Sequence, residues 1–273
     1  MKAGVVVTGV STGIGAAVAR RLAEAGYLVF GTVRRQEDAG GVERDGGVAL
    51  LMDVTDARSI AAARQEVERR LGDQPLLGLV NNAGIAAAGP LEHLPLDELR
   101  RVLEVNVVGL VAVTQAFLPA LRRSRGRVIN ISSVSGRIAL PFGGPYSASK
   151  FALEAISDSL RRELIPSGVK VVVIQPGSIR TPIWDKAAGL DLERYRGTPY
   201  ASVLPRVLDQ VLERARRGLP ADAVASAVLA ALSSPSPPTR ILVVRRPWMV
   251  RLMRWMPDRR IDRGVEKQLW GKR

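Results

Sequence analysis

"AGVVVTGVSTGIGAAVARRLAEAG", residues 3–26, is the stretch from which the fold is read. A short β-branched run breaks into a turn with glycines at 9, 13 and 15, and a helical pattern follows at once. Strand, turn and helix in that order bring unbonded helix N–H groups and the positive end of the helix dipole to the turn. Gly9 allows the tight bend, Gly13 lets backbone approach a pyrophosphate, and Gly15 permits close packing of helix on strand. Ser11, Thr12 and Ile14 fill the places between them. A plain tight loop would show the glycines too, but the strand–turn–helix context favours a dinucleotide site. The spacing is G-x-x-x-G-x-G, not the commoner G-x-G-x-x-G.

Outward from this unit the same alternation continues. "YLVFGTV", a polar stretch and "GVALLMDV" precede the helix "SIAAARQEVERRLG". After it come "LLGLVNNAG" and one long helical pattern, "LDELRRVLEVNVVGLVAVTQAFLPALRRS". "GRVINISS", the helix "YSASKFALEAISDSLRRELIPSG", "VKVVVIQPG" and "TRILVV" complete the series. Apolar strands separated by helices predict an α/β fold, a Rossmann-like doubly wound parallel sheet of about seven strands with helices on both faces. Ligands in such sheets bind at the carboxyl ends of the strands. No repeat or long linker interrupts the chain, so residues 1–273 are expected to form one domain.

Composition narrows the chemistry. The chain has 273 residues, 47% of them hydrophobic, enough for a large core. It has no cysteine and one histidine, which excludes disulfides, thiolate metal sites and the usual zinc clusters, so no metal is expected. His93, in "GPLEHLPLDEL", reads as a surface or cap residue. The chain enters a strand at once and shows no apolar run of about 18 residues, so a soluble, cytoplasmic protein is expected. About half of the net charge of +14 sits in residues 245–273, yet no nucleic-acid-binding motif accompanies it.

"PYSASKFALEAI", residues 145–156, places Tyr146 and Lys150 four apart at the start of a helix, on one face. A surface pair is the bland reading; a lysine tuning a tyrosine for proton transfer is the sharp one. The glycine spacing, "NNAG" at 81–84 and Tyr-x-x-x-Lys together resemble the short-chain dehydrogenases/reductases over nearly the whole chain. "VLEVNVVGLVAVTQAFLPALRR" and "GRIALPFGGPYSASKFALE" are most similar to the 17β-hydroxysteroid and retinol dehydrogenase-like members.

The resemblance implies a catalytic set of Asn106, Ser133, Tyr146 and Lys150. Tyr146 would exchange a proton with the substrate oxygen, its pKa lowered from about 10 by Lys150 and an oxidised nicotinamide. Lys150 would also hold the nicotinamide ribose. Ser133, thirteen residues before Tyr146, would orient the carbonyl, whereas strand alternation sends Ser132 the other way. Asn106 would support a water relay to the lysine. Asn82 would brace the central strands while Ala83 and Gly84 lie along the adenosine ribose, and Asp53 and Val54 would contact the adenine. "PGSIRT", with Pro176, Gly177, Ile179 and Thr181, would wrap the nicotinamide amide.

The second strand ends "FGTVRRQED", offering Arg34 and Arg35 and no acid before Glu37. Guanidinium suits a 2′-phosphate, with Ser11 as a further donor, so NADP(H) is the expected cofactor and NAD(H) the alternative. Residues 182–218 are expected to form a substrate lid, with Ile183, Trp184, Leu190, Leu192, Ile138, Leu140 and Phe142 lining an apolar pocket. The expected reaction interconverts a lipophilic ketone or aldehyde and its alcohol, the resemblance pointing to a steroid, retinoid or lipid. In the tail, Met249, Leu252, Met253 and Met256 have helical spacing, with Arg251 and Arg254 off that face. Packing on its own subunit or a partner, covering the pocket, is favoured over a weak membrane contact through Trp248, Trp255 and Trp270. A homodimer or homotetramer follows from the resemblance alone. The rival reading is a catalytically idle dinucleotide-binding regulator, which would predict a damaged Ser–Tyr–Lys set.

Overall fold

Val5, Val6 and Val7 of the first strand are all buried, and they face alternate sides of one sheet. The computed structural model of the protein describes residues 2–182, 184, 191–253 and 255–271. Its strands are β1 (Gly4–Val7), β2 (Leu28–Val33), β3 (Val48–Leu51), β4 (Leu76–Asn81), β5 (Arg127–Ile131), β6 (Lys170–Pro176) and β7 (Arg240–Val243). They pair in parallel throughout, in the order β3-β2-β1-β4-β5-β6-β7, which is the expected doubly wound sheet.

The helices are α1 (Gly13–Glu24), α2 (Ala39–Arg44), α3 (Ala57–Leu71), α4 (Leu96–Leu103), α5 (Gly109–Ser124), α6 (Gly144–Glu163), α7 (Leu204–Arg216), α8 (Ala221–Ser233), α9 (Pro247–Met253) and α10 (Asp258–Leu269). On one face Val5 and Val7 pack with Val18 and Leu22 of α1 and Val224 and Val228 of α8. On the other, Val6 packs with Ile60 and Val67 of α3 and Val113 and Phe117 of α5. Period-two burial in the strands therefore builds two cores from one run of valines. Strand order reverses between β1 and β4, and the crevice opens there, at their carboxyl ends.

Three local differences from the sequence reading have physical causes. The polar stretch after β2 contains the short helix α2, whose Ala39 and Val42 are buried. The single long helical pattern is α4 and α5 joined by a π-helical turn, Glu104–Val108, with Asn106 buried inside it. Such turns insert an extra residue and re-aim side chains. Together Leu96–Ser124 has the length and apolarity of a membrane span, which qualifies the expectation drawn from apolar runs. Its Val113, Phe117 and Leu121 nevertheless pack into the sheet's core.

After β6, Tyr195 is fully buried, Arg194 pairs with Glu98 at 3.1 Å, and the Tyr200 hydroxyl donates to Glu92 at 2.9 Å. These contacts moor the segment before α7 to α4 and to the loop that leads into it. Ile183, Leu190 and Arg254 lie outside the described residues. The tail is two helices rather than one, and α10 is tied to α7 by Leu269, buried, and by Arg206 donating to the Leu269 carbonyl at 3.1 Å.

Candidate active site

The glycine-rich turn is held from below. The Asn82 side-chain amide donates to the carbonyls of Thr8 and Gly9, each at 2.9 Å, and the Thr8 hydroxyl accepts from the backbone N–H groups of Asn82 and Ala83 at 3.0 and 2.9 Å. Asn82 thus joins the turn after β1 to the end of β4. Gly9 and Gly13 have φ of +69° and +64°, which L side chains adopt only with strain. A Cβ on Gly15 would lie 2.1 Å from the Gly9 carbonyl oxygen, so helix and turn touch through bare backbone. Thr12 precedes α1 with no side-chain cap, Ser11 is exposed, and the first turn of α1 carries no acid. Ile14 packs half-buried against the core. This cradle fits a pyrophosphate: donors and helix dipole face outward where a side chain would block them.

At the end of β2 the two arginines differ. Arg35 is held by Glu37 at 2.8 Å and Asp38 at 3.3 Å, while Arg34 has no ion-pair partner among the described residues. Asp53 accepts from the Thr55 backbone N–H at 2.9 Å and hydroxyl at 2.8 Å, which holds its carboxyl below the usual range. Val54 is buried against Gly109. The adenine edge expected of Asp53 and Val54 therefore has a fixed, locally bonded backbone.

Ser133 lies two residues beyond β5, buried, and its hydroxyl accepts from the Ser135 N–H at 3.1 Å. It also hydrogen-bonds the Tyr146 phenol. The neighbouring Ser132 is buried, its hydroxyl without a hydrogen-bond partner among the described residues. Lys150, 4% exposed, donates to the Ile131 carbonyl at 2.8 Å, and its ammonium lies 5.6 Å from the Tyr146 ring centroid. Ser133, Tyr146 and Lys150 are thus brought together at the carboxyl end of β5.

The charge balance of the protein alone differs from the one expected beside an oxidised nicotinamide. In the protein alone Tyr146 is not lowered: burial pushes its phenol above the ordinary value, opposed by the bond from Ser133. Burial instead lowers Lys150 to about 8, with Glu154 working against it. Burial disfavours the charged form of each group, so the phenol moves up and the ammonium down.

Asn106 is fully engaged. Its Oδ1 accepts from Ile85 N at 2.8 Å, and its Nδ2 donates to Ile85 O at 2.8 Å and to Ser149 Oγ at 2.9 Å. The Ser149 hydroxyl in turn donates to the Tyr146 carbonyl at 2.7 Å. The Asn106 amide therefore holds the chain after Gly84 against the first turn of α6, and any relay to Lys150 runs outside that amide.

Pro176 closes β6, Gly177 donates to the Val243 carbonyl at 3.0 Å, and buried Ile179 pairs with Leu219. Thr181 returns to the glycine turn: its Cγ2 would meet a Cβ on Gly13 at 3.3 Å. Trp184 donates to the Ile179 carbonyl at 2.7 Å, folding onto its own loop, and Leu192 is half-buried. Leu140 is exposed, Ile138 half-buried, and Phe142 adopts φ +66° with its ring edge-on to Tyr200 at 5.9 Å. His93, part-exposed, meets the Tyr200 ring edge-on at 5.9 Å, and its Nε2 lies 3.9 Å from Glu92 without a hydrogen bond among the described residues.

Sequence reading passed over Asn81 and Asn130. Asn81 donates to Asn130 and to the Thr114 hydroxyl, each at 2.9 Å, and Asn130 donates to the Ser157 hydroxyl at 2.9 Å. These residues bond β4 to β5 and both to helices beneath the site. The signal was present as polar residues inside "LVNN" and "VINI", apolar strands otherwise.

Comparison with known proteins agrees with this layout. A family model described as short chain dehydrogenase matches residues 3–189. The chain is 41% identical to an NADPH-dependent 3-dehydrocapnine reductase of Ornithobacterium rhinotracheale over 97% of its own length and 96% of that protein's. It is 44% identical to human retinol dehydrogenase 16 over 186 residues, 67% of this chain and 58% of that one. A short-chain dehydrogenase from Burkholderia cenocepacia J2315, solved in complex with NADP, superposes with a TM-score of 0.75 at 26% identity over 97% of each chain. The matched range covers more than half of the chain, and the chain belongs to the short-chain dehydrogenase family.

Proposed function

We propose that the protein is an NADP(H)-dependent oxidoreductase that reduces a lipophilic ketone or aldehyde to its alcohol. The convergence of Ser133, Tyr146 and Lys150 beside an open phosphate cradle carries this reading. A nicotinamide cofactor bound there supplies the hydride. Ser133 and the Tyr146 hydroxyl hydrogen-bond the carbonyl oxygen, and Tyr146 delivers its proton as charge develops on that oxygen. A phenol kept protonated by burial is suited to donating. Lys150, charged, holds the ribose and stabilises the phenolate left behind. Arg34, with no ion pair within 4 Å among the described residues, and Ser11 suit a 2′-phosphate, and the similar reductase is NADPH-dependent.

Two surfaces support the partners of this reading. Trp248, Leu252 and Trp255 are 63%, 57% and 82% exposed in the arginine-rich tail, apolar and basic together, which fits a weak contact with an anionic membrane surface. Val108 and Phe151, exposed on the neighbouring elements around α5 and α6, fit a homodimer or homotetramer interface.

The test is NADPH and NADH consumption across steroid, retinal, aliphatic and quinone carbonyls. NADPH-dependent turnover of a lipophilic carbonyl is expected. Tight NADPH binding with no turnover of any carbonyl would favour a dinucleotide-binding regulator instead. Sedimentation with anionic and neutral vesicles tests the tail: a triple serine variant at Trp248, Leu252 and Trp255 should lose the anionic-vesicle fraction.

A further inference from the structure

Glu154 is 4% exposed and lies one helical turn beyond Lys150, on the same face of α6. Its carboxylate gathers partners from three other elements. Gln175 of β6 donates to Oε1 at 2.8 Å, Arg240 of β7 donates to Oε2 at 2.9 Å, and Arg137 lies 3.2 Å from that same oxygen. Arg240 also pairs with Asp158 at 2.9 Å, and Asp158 with Arg161 at 3.3 Å. The face of α6 therefore reads Tyr146, Lys150, Glu154, Asp158, with Arg137, Arg161 and Arg240 facing its acids.

Arg137 directly follows the turn Val134–Gly136 that Ser133 caps. That turn lies flat on α6: a Cβ on Gly136 would be 3.0 Å from the Lys150 carbonyl and 3.1 Å from Glu154 Cγ. One carboxylate thus joins the segment bearing Ser133 to the helix bearing Tyr146 and Lys150. A hydrophobic side chain would pack such a place without having to keep a buried charge satisfied, so charge here points beyond packing.

We propose that Glu154 is a positioning residue, holding the Ser133 turn against Tyr146 through Arg137 and keeping Lys150 charged by its own negative charge. The proposal rests on the assignment of Ser133, Tyr146 and Lys150 given above. Burial drives the Lys150 ammonium toward neutrality, and Glu154 is the group that opposes it.

The test compares Glu154→Gln, Glu154→Asp and Arg137→Gln in the full chain. Glu154→Gln should lower kcat by about 10²-fold with KM for the carbonyl little changed. It should also move the alkaline limb of the pH profile down by about one unit. Arg137→Gln should lower kcat without that downward shift. Glu154→Asp, drawn back from Arg137 but still charged, should lose kcat and keep the limb. NMR titration of lysine-labelled protein reads the Lys150 midpoint without turnover, so a failure of the oxidoreductase assignment and a failure of this one are distinguishable. A Glu154→Gln protein that melts earlier but keeps kcat and the Lys150 midpoint would overturn the proposal. If Glu154→Gln does not fold, unchanged kcat in Glu154→Asp and Arg137→Gln overturns it equally.

Discussion

The Lys150 ammonium stacks 5.6 Å from the centroid of the Tyr146 ring while bonding the Ile131 carbonyl at 2.8 Å, so the lysine is tied to β5 and the phenol receives its hydrogen bond from Ser133. Division of labour follows. Tyr146→Phe removes the proton and should cut kcat by about 10²–10⁴-fold. Ser133→Ala removes a donor at the developing oxyanion and should cost about 10²-fold. NADPH affinity, measured by fluorescence titration, should change little in either variant.

Lys150 should also make stability depend on pH. Its folded pKa is lowered from 10.5 to about 8, so between those values the unfolded chain binds more protons and stability rises with pH. Below about pH 8 the buried charge destabilises the fold, by on the order of 3 kcal/mol at most. Lys150→Met should therefore be inactive yet more stable than wild type at pH 7. Urea denaturation should show that advantage shrinking above pH 8; an advantage that does not vary with pH would rule out the charge as its cause.

The ion pairs at the end of β2 separate two adjacent arginines. Arg34→Ala should weaken NADPH by about 10- to 10²-fold, the scale of a lost hydrogen bond to a charged group, with NADH hardly affected. Arg35→Ala, whose guanidinium is already held by Glu37 and Asp38, should have a much smaller effect. Equal losses in the two variants would contradict the assignment. The ratio of KM values for the two nucleotides reads it.

Gly15→Ala should disable the cradle. The new methyl would sit 2.1 Å from the Gly9 carbonyl and 2.5 Å from the Asn82 amide, so α1 must move away from the turn. Overpacking of this kind costs about 1–3 kcal/mol. Calorimetry should show loss of NADPH binding, and thermal melting a lower Tm.

Asn130→Leu should damage the fold more than the site. It leaves the Asn81 amide and the Ser157 hydroxyl short of a buried partner, a loss of about 1–3 kcal/mol. Denaturant titration should show that loss while NADPH affinity of the folded fraction is kept.

The alternation of β-branched runs and helices, the glycine turn after β1, and the order Ser133, Tyr146, Lys150 were all readable from the chain. Strand pleat, helix period and turn chemistry act over a few residues, so the segment from 3 to 26 carries the glycine turn and the segment from 145 to 156 the Tyr146–Lys150 pair, while Ser133 was named through the family resemblance. What only the tertiary structure decided depends on residues distant in sequence. Burial by several elements sets the opposite shifts of Tyr146 and Lys150. The partners of Asn106 and Glu154 come from loops and strands 17 to 86 positions away. The single helical pattern at 96–124 contains a π turn, and Asn106 within it bonds Ile85. Desolvation and hydrogen-bond satisfaction are properties of an enclosed place, and a place is enclosed only once the chain has folded around it.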